Sequence, residues 1–508
     1  MKQLSGLDAT FLYAETATTF GHVNSLMIFE RPRSGYEPYS AVYAKFASLI
    51  GVLEPLRRRV VEVPFGLDHP YWAADGSLDL AYHVREVHLP RPGLADQLAE
   101  QVCRIVERPM DRTRPLWEAH VIDGLQDGRW ALLTKYHHAT LDGAAGQLML
   151  EALTSKSPDT PPPGDSPPWQ PEPIPSGVEL LLRAVGNLAG NPVKAVLLQT
   201  RMVRHVAETV GVDGLANAAA LVGTTVKRVA TLGRDGFPKV PLPAAPAPRT
   251  PWNKSISPHR RFAMRTVSLE NIKRLKLATG GTVNDIVMAI CAGGLREYLL
   301  AHDALPDRPL RAMVPVSLRT GNEKDPWTNR VSDIFPELPT DCPDPLERVA
   351  RCREAMQKAK RTFELVPAEE LMNLTHYSTP LMATAAFRLA SQLRLADRGV
   401  QAFNVTISNV PGPRQPLYFD GAELAHQFPV SIVTDGQGLN ITVASYLDRM
   451  DFGFLADRDL VPDLWDLADL CIAEVTRLFE ATGAEWAEPP RAAFPRRGPA
   501  QRTPESQG

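Results

Sequence analysis

The sequence predicts an α/β protein built as two mixed blocks around a proline-rich connector. Three observations lead there. Residues 1–155 and 253–486 each interleave strand-like alternation with apolar residues at helical spacing. Between these blocks, about half of the residues from Pro158 to Pro175 are proline, which excludes a regular element. The run RWALLTKY passes from a strand pattern directly into His137–Gly143, which reads HHATLDG, and then into a helical pattern.

In chain order, Ala41 to Leu53 reads as a helix that stops before Pro55, a residue a helix interior does not tolerate. Gly93 to Val106 reads as a second helix. Leu132 to His138 reads as a strand and Gly143 to Leu153 as the helix after it. Beyond the first proline-rich stretch, Asn191 and Pro192 suit the cap and first position of a helix. Val193, Val196, Leu197, Val203, Val206 and Val210 then repeat at helical spacing. A second stripe follows from Asp213 through Leu215, Ala218, Val222, Val226 and Val229. Lys194, Arg201, Arg204, Lys227 and Arg228 lie on the polar sides. Such basic amphipathic helices can rest in a membrane interface, or they can brace one block against the other. A second proline-rich stretch, Phe237 to Pro251, closes the region.

In the second block, Ser268 to Leu277 reads as a short helix stopped by Gly280 and Gly281. Thr282 then caps the next helix with Asp285 at its third position. Asp344 to Phe363 and Pro462 to Thr482 read as amphipathic helices, and Phe403 to Val410 and Leu439 to Tyr446 as strands. The divisions are therefore 1–155, a connector at 156–252, 253–486, and a tail at 487–508. The tail is rich in Pro, Arg and Ser and is expected to be disordered.

With 508 residues and 44% hydrophobic content the chain can bury more than one core. A net charge of −3 gives no reason to expect nucleic acid. No apolar run is long enough to span a bilayer, and the start MKQLSGLDATFLYAE lacks a signal-peptide core. The five cysteines are scattered and form no C-x-x-C, so neither a disulfide framework nor a zinc ribbon is indicated. The expected setting is a reducing cytoplasm, with any membrane or lipid-droplet association peripheral.

Three readings of HHATLDG compete. It is a strand end with two hydrogen-bonded histidines and an Asp-Gly turn, a metal site, or a catalytic base. Adjacent strand residues point to opposite faces, so His137 and His138 cannot easily grip one ion. A zincin-like pair needs histidines four apart on a helix. An imidazole at a strand end is well placed to take a proton from a hydroxyl near neutral pH.

HHATLDG also resembles the HHxxxDG signature of the CoA-dependent acyltransferase superfamily. Further blocks narrow the resemblance to the bacterial wax ester synthase/diacylglycerol acyltransferases. They are LSGLDATFLYAET at the start, Pro115-Leu116-Trp117, Asn284-Asp285, VPVSLR (314–319), TNRVS (328–332), SNVPGP (408–413) and LNITVASYLDRMDFGFLADRDLVPD (439–463). The blocks stand in the family's order and cover nearly the whole chain, although the family more often has Gly where Thr328 stands.

The resemblance implies two chloramphenicol-acetyltransferase-like lobes, with mixed sheets and flanking helices and an active-site tunnel between them. It implies that His138 is the general base and His137 a supporting residue pointing the other way. Asp142 would orient the loop, paired with an arginine, in preference to direct Asp–His catalysis. Gly143 would permit the tight turn into the next helix. Asn284 would offer an amide donor near the reacting carbonyl, although plain helix N-terminal chemistry accounts for Asp285. Trp117 would line the acyl tunnel or fill a core. Acyl-CoA would be a substrate, with no cofactor and no metal. Diacylglycerol is the leading acceptor and a long-chain fatty alcohol the alternative. A carrier-protein-dependent condensing enzyme has no adjacent carrier site to support it. The remaining alternative is a catalytically weak lipid-droplet protein.

Overall fold

Two mixed sheets carry the chain. The computed structural model describes residues 1–76, 78–159, 164–190, 246–319, 325–364, 380–399 and 401–487. The first sheet has six strands, in the order Tyr418–Phe419, Ala422–Val430, His22–Phe29, Trp130–His137, Trp117–Asp123, Val84–His88. Its last pair is parallel and the others are antiparallel. The second sheet runs Val331–Ile334, Leu310–Ser317, Val405–Val410, Leu439–Tyr446, Arg449–Asp457, Arg260–Ser268, with Glu337–Leu338 pairing alongside Leu310–Ser317. Strand Val405–Val410 is parallel to both of its neighbours. A small third sheet joins Lys2–Gln3, Tyr71–Ala74 and Arg58–Val61.

The helices begin and end where local chemistry requires. Helix Gly6–Tyr13 starts at Ser5, whose hydroxyl accepts from Asp8 N at 3.0 Å. Helix Gly143–Leu153 starts at Asp142, whose carboxylate accepts from Ala145 N at 2.9 Å. Helix Leu269–Thr279 ends at Gly280, which takes the left-handed conformation that glycine adopts without steric cost. Helix Val283–Ala301 opens with a reciprocal Thr282–Asp285 capping box. The first long helix runs Pro38–Leu49 rather than Ala41 to Leu53. Its start is favoured by the fixed φ of Pro38, and Pro55 sits inside a separate short helix, Glu54–Arg57.

The blocks are less separate than the sequence suggests. Residues 418–430, assigned to the second block, add two strands to the first block's sheet, Ala422–Val430 lying antiparallel to His22–Phe29. From the other side, helix Ala95–Val106 packs on strand Arg260–Ser268. One continuous apolar cluster therefore holds Leu26, Leu98 and Val102 together with Phe262, Phe428 and Phe452. Each such buried side chain contributes about 1.5–3 kcal/mol, which binds the two sheets into one body.

The described part of the connector also docks. Gly51 N donates to Ser166 Oγ at 2.7 Å, Trp169 Nε1 donates to the Asp75 carbonyl at 2.9 Å, and Glu172 holds the N-terminal amine at 2.6 Å. A helix absent from the sequence reading, Gly177–Gly190, buries Leu180 and Ala184 against Val61, Val63 and Tyr71. Residues at the end of the second proline-rich stretch join the second lobe, where Trp252 is buried. The two amphipathic stripes expected near 192–232 lie outside the described residues, as does the tail after residue 487.

Among the described residues no single helix is long and apolar enough to cross a membrane. Helices Leu269–Thr279 and Val283–Ala301 together have the length and composition, but they meet at 98° and the second is largely buried in the shared core.

Candidate active site

The HHATLDG loop sits where the first sheet meets the second block. Strand Trp130–His137 delivers the pair, and His138 is pinned just beyond it by its N–H to the Gly21 carbonyl, at 2.7 Å. The loop is tied from below by Arg58, which is buried, stacks over Trp72 and donates to the Thr140 carbonyl at 2.8 Å.

The two imidazoles have different partners, as the alternation of strand side chains requires. His137 Nδ1 accepts from Ala139 N at 3.1 Å, and its Nε2 faces Glu15 Oε1 at 3.3 Å. That contact is not a well-aligned hydrogen bond. Glu15 also receives Arg112 at 2.6 Å and Gly21 N at 2.8 Å. Burial opposes ionisation of Glu15, but His137 and Arg112 overcome it and hold the carboxyl well below its ordinary range. His137 is thus built into the scaffold.

His138 is half-buried and lies flat against Phe11, ring centroids 4.0 Å apart and planes inclined by 11°. Its Nδ1 lies 3.0 Å from Asn329 Oδ1. Asn329 Nδ2 donates to the His138 carbonyl at 2.7 Å and to Asp8 Oδ1 at 2.6 Å, and Asn329 N also donates to Asp8 Oδ1 at 3.1 Å. Ser5 Oγ donates to Asp8 Oδ2 at 2.7 Å. Burial pushes the His138 pKa down, with the residue's own backbone carbonyl, Asp142 and Asn329 opposing. The ring is therefore neutral at neutral pH, the form a base needs.

Asp142 does not reach the imidazole through any described hydrogen bond. Besides capping its helix, it receives Arg319 Nη2 at 2.8 Å and Nε at 3.3 Å, and Arg330 N at 3.0 Å. Arg319 comes from VPVSLR and Arg330 from TNRVS, so Asp142 ties the loop to the second block on both sides of Asn329.

Other expected residues fall differently. Gly143 is the first residue of its helix with an ordinary negative φ, and a Cβ there would meet nothing within 4 Å. The turn does not need glycine there. The glycine that the geometry does require is Gly21, where a Cβ would stand 2.7 Å from His137 Nε2 and 2.9 Å from the Phe11 carbonyl. Trp117 is core rather than passage lining. It is 1% exposed, stacks on Phe46 and His83, and donates to the Leu56 carbonyl at 2.7 Å. The Asp285 carboxylate is used by its capping box. Asn284 stands half-buried in the first turn of that helix, with no hydrogen bond to His138 among the described residues. A cavity of about 290 Å³ lined by Arg85, Gln101, Arg104, Arg108 and His120 contains none of the motif residues.

The residues that close on the histidines lie within the motif blocks of the sequence. Asp8, Phe11 and Glu15 all come from LSGLDATFLYAET, and Asn329 from TNRVS. Asp8 and Phe11 are three apart on one face of helix Gly6–Tyr13, and Glu15 follows just past its cap at Ala14. That spacing was the available signal.

Comparison with known proteins adds an independent line. The profile of the wax ester synthase/diacylglycerol acyltransferase catalytic domain matches residues 4–287, and that of the family's C-terminal domain matches residues 327–478. A Mycobacterium tuberculosis protein named as a probable diacylglycerol O-acyltransferase, tgs2, is 34% identical over 479 residues, 94% of this chain and 98% of its own. An O-acyltransferase of Acinetobacter baylyi, WSD, is 31% identical over 96% of this chain and 98% of its own. The solved wax ester synthase/diacylglycerol acyltransferase of Marinobacter aquaeolei superposes with a TM-score of 0.66 at 31% identity, over 95% of this chain and 100% of that one.

Proposed function

The chain belongs to the wax ester synthase/diacylglycerol acyltransferase family, and from that premise we propose that it moves a long-chain acyl group from acyl-CoA to the free hydroxyl of diacylglycerol, forming triacylglycerol. The observation that carries this reading is a neutral imidazole at the lobe junction, His138, with one nitrogen engaged by Asn329. The other nitrogen, Nε2, takes the acceptor's proton.

A thioester is already activated, so the transfer needs no ATP. As the hydroxyl oxygen bonds to the thioester carbonyl carbon, its proton passes to His138 Nε2. The tetrahedral intermediate collapses with cleavage of the C–S bond. The proton on Nε2 then goes to the departing CoA thiolate, so the enzyme ends the cycle unchanged. Holding both substrates at the junction removes much of the entropic cost of a bimolecular step. No metal enters this scheme, and His137 and His138 are each engaged by a different partner. An acyl-cysteine is disfavoured at Cys291, which is fully buried with its thiol pushed up to about 12.

The family's name covers a second acceptor, and a long-chain fatty alcohol giving a wax ester is the alternative. Purified protein with labelled palmitoyl-CoA and a panel of diacylglycerol, hexadecanol and short alcohols decides between them. Triacylglycerol as the dominant product supports the reading. Preferential wax ester formation replaces it, and no ester from any acceptor leaves only a lipid-surface protein without this chemistry.

Both lipid acceptors reside at a lipid surface, and we infer peripheral docking there. Phe65 is 76% exposed at a positive-φ turn, Pro64–Gly66, that lies beside helices Gly177–Gly190 and Pro380–Gln392. Those helices add exposed Val178, Leu182, Phe387 and Leu389, with Leu393 just beyond. Exposed apolar side chains on neighbouring elements are candidates for such a surface. Aspartate placed at Phe65 and Leu182 should weaken sedimentation with anionic liposomes and lower turnover on vesicle-borne diacylglycerol more than on a soluble alcohol. Equal loss on both acceptors, or unchanged binding, would return these residues to a structural role.

A further inference from the structure

We propose that Asp8 and Asn329 form a positioning pair that fixes which nitrogen of His138 carries the proton. The proposal rests on His138 being the base, but its test does not depend on turnover. The argument is one of donors and acceptors. Asn329's amide nitrogen lies 2.6 Å from Asp8 Oδ1 and 2.7 Å from the His138 carbonyl oxygen. Both are acceptors, so the atom between them must be the NH₂ group, and flipping the amide would set oxygen against oxygen twice. The protonation of Asp8 does not change this. Asp8 Oδ1 already receives two N–H groups from Asn329, so any proton the burial-raised carboxyl keeps lies on Oδ2, beside Ser5.

With the amide fixed, Asn329 Oδ1 is the group that faces His138 Nδ1 at 3.0 Å. A carbonyl oxygen only accepts, so Nδ1 must carry hydrogen and donate. The neutral ring then has its lone pair on Nε2. The amide grips His138 twice, by ring and by backbone carbonyl, and Phe11 holds the ring plane. The residue's own backbone carbonyl also favours a ring N–H, and Asn329 and Asp8, 321 residues apart, add their hold once the second block closes on the N-terminal helix. In triad hydrolases a carboxylate fills the orienting position. Here the orienting group is neutral, so it raises the imidazole pKa less than an ionised carboxylate would and burial still holds it down, with the Asp8 carboxyl one residue removed. Among the described residues, the titratable groups on the ring's own loop are His137 and Asp142, the latter paired with Arg319.

The test combines a spectroscopic readout with kinetics. The full-length protein is labelled with ¹⁵N-histidine, and His138 is assigned by difference against His138→Gln. Long-range ¹H–¹⁵N correlations are recorded for wild type, Asn329→Ala, Asn329→Asp, Asp8→Ala and Asp8→Asn. Wild type is expected to show the Nδ1–H tautomer. Asn329→Ala should weaken that bias measurably and drop kcat by about a hundredfold, with KM little changed. Asn329→Asp should raise the acid limb of the kcat/KM profile, because a carboxylate against Nδ1 stabilises the imidazolium. Asp8→Asn retains an acceptor oxygen and should fall between wild type and Asp8→Ala in tautomer bias and kcat. Circular dichroism checks that each variant is folded. An Nε2–H tautomer in wild type, or an unchanged tautomer in folded Asn329→Ala, overturns the proposal. If the tautomer shifts as expected but wild type esterifies no acceptor, the pair stands and the acyltransferase reading fails.

Discussion

Substitution of Asp142 separates a structural carboxylate from a catalytic one. Asp142 is buried and makes four contacts, to Ala145 N, Arg330 N and two nitrogens of Arg319. In Asp142→Ala the helix cap goes, at about 1 kcal/mol. Arg319, 14% exposed along its side chain, loses its partner, and breaking such a pair costs about 3–5 kcal/mol. These effects share the same contacts, so about 4 kcal/mol in all is expected. Asp142→Asn keeps a good cap and one acceptor oxygen, and about 1–2 kcal/mol is expected. Urea denaturation monitored by tryptophan fluorescence measures both. The kinetic expectation follows from the same geometry. Asp142 touches Arg319 and Arg330, not the His138 ring, so folded Asp142→Asn should keep turnover within about tenfold of wild type. A carboxylate acting as the third member of a triad would instead cost about 10⁴ in kcat with stability intact. A stable Asp142→Asn that loses that much turnover would refute the structural assignment.

Gly21→Ala should destabilise by about 1–3 kcal/mol and lower kcat, because the new methyl meets His137 and the Phe11 carbonyl. Equal unfolding midpoints for the two proteins would contradict that packing. Stability should fall as the pH drops below about 6.5, the ordinary imidazole value. Burial depresses the folded-state pKa of His22, His83, His120 and His138, so in that window the unfolded chain binds protons the native state refuses. Glu118, held down to about 2 despite its burial by His120, Lys135 and Arg85, adds stability that is lost only at more acid pH, below the ordinary carboxylate range. Unfolding midpoints that rise from pH 7 to pH 5 would oppose this. Chelators should leave turnover unchanged, and activity lost to phenanthroline and restored by one divalent metal would reinstate a metal.

Periodic elements were legible in the sequence because their signals are local. Helix Gly143–Leu153, strand Leu439–Tyr446 and the Thr282–Asp285 cap need only neighbouring residues, and the structure has them where the patterns put them. Pairings between distant segments were not legible. Strand alternation along Ala422–Val430 says that one face is buried but not whose sheet it joins, and it joined the first block's. Trp117 shows the same limit, since an indole that fills a core and one that lines a passage have the same letter and spacing. At the site, alternation correctly separated His137 from His138. The chain Ser5–Asp8–Asn329–His138 was hidden because its halves lie at opposite ends of the fold's closure, each looking like ordinary helix-capping or loop chemistry alone.

The central claim is that His138 is the proton-transfer group, and His138→Ala measured under single-turnover conditions with palmitoyl-CoA and diacylglycerol tests it most directly. A folded variant with unchanged unfolding behaviour should lose about a hundred- to ten-thousandfold in rate. Retention of more than about a tenth of the wild-type rate, outside that range, would contradict the account and require another base.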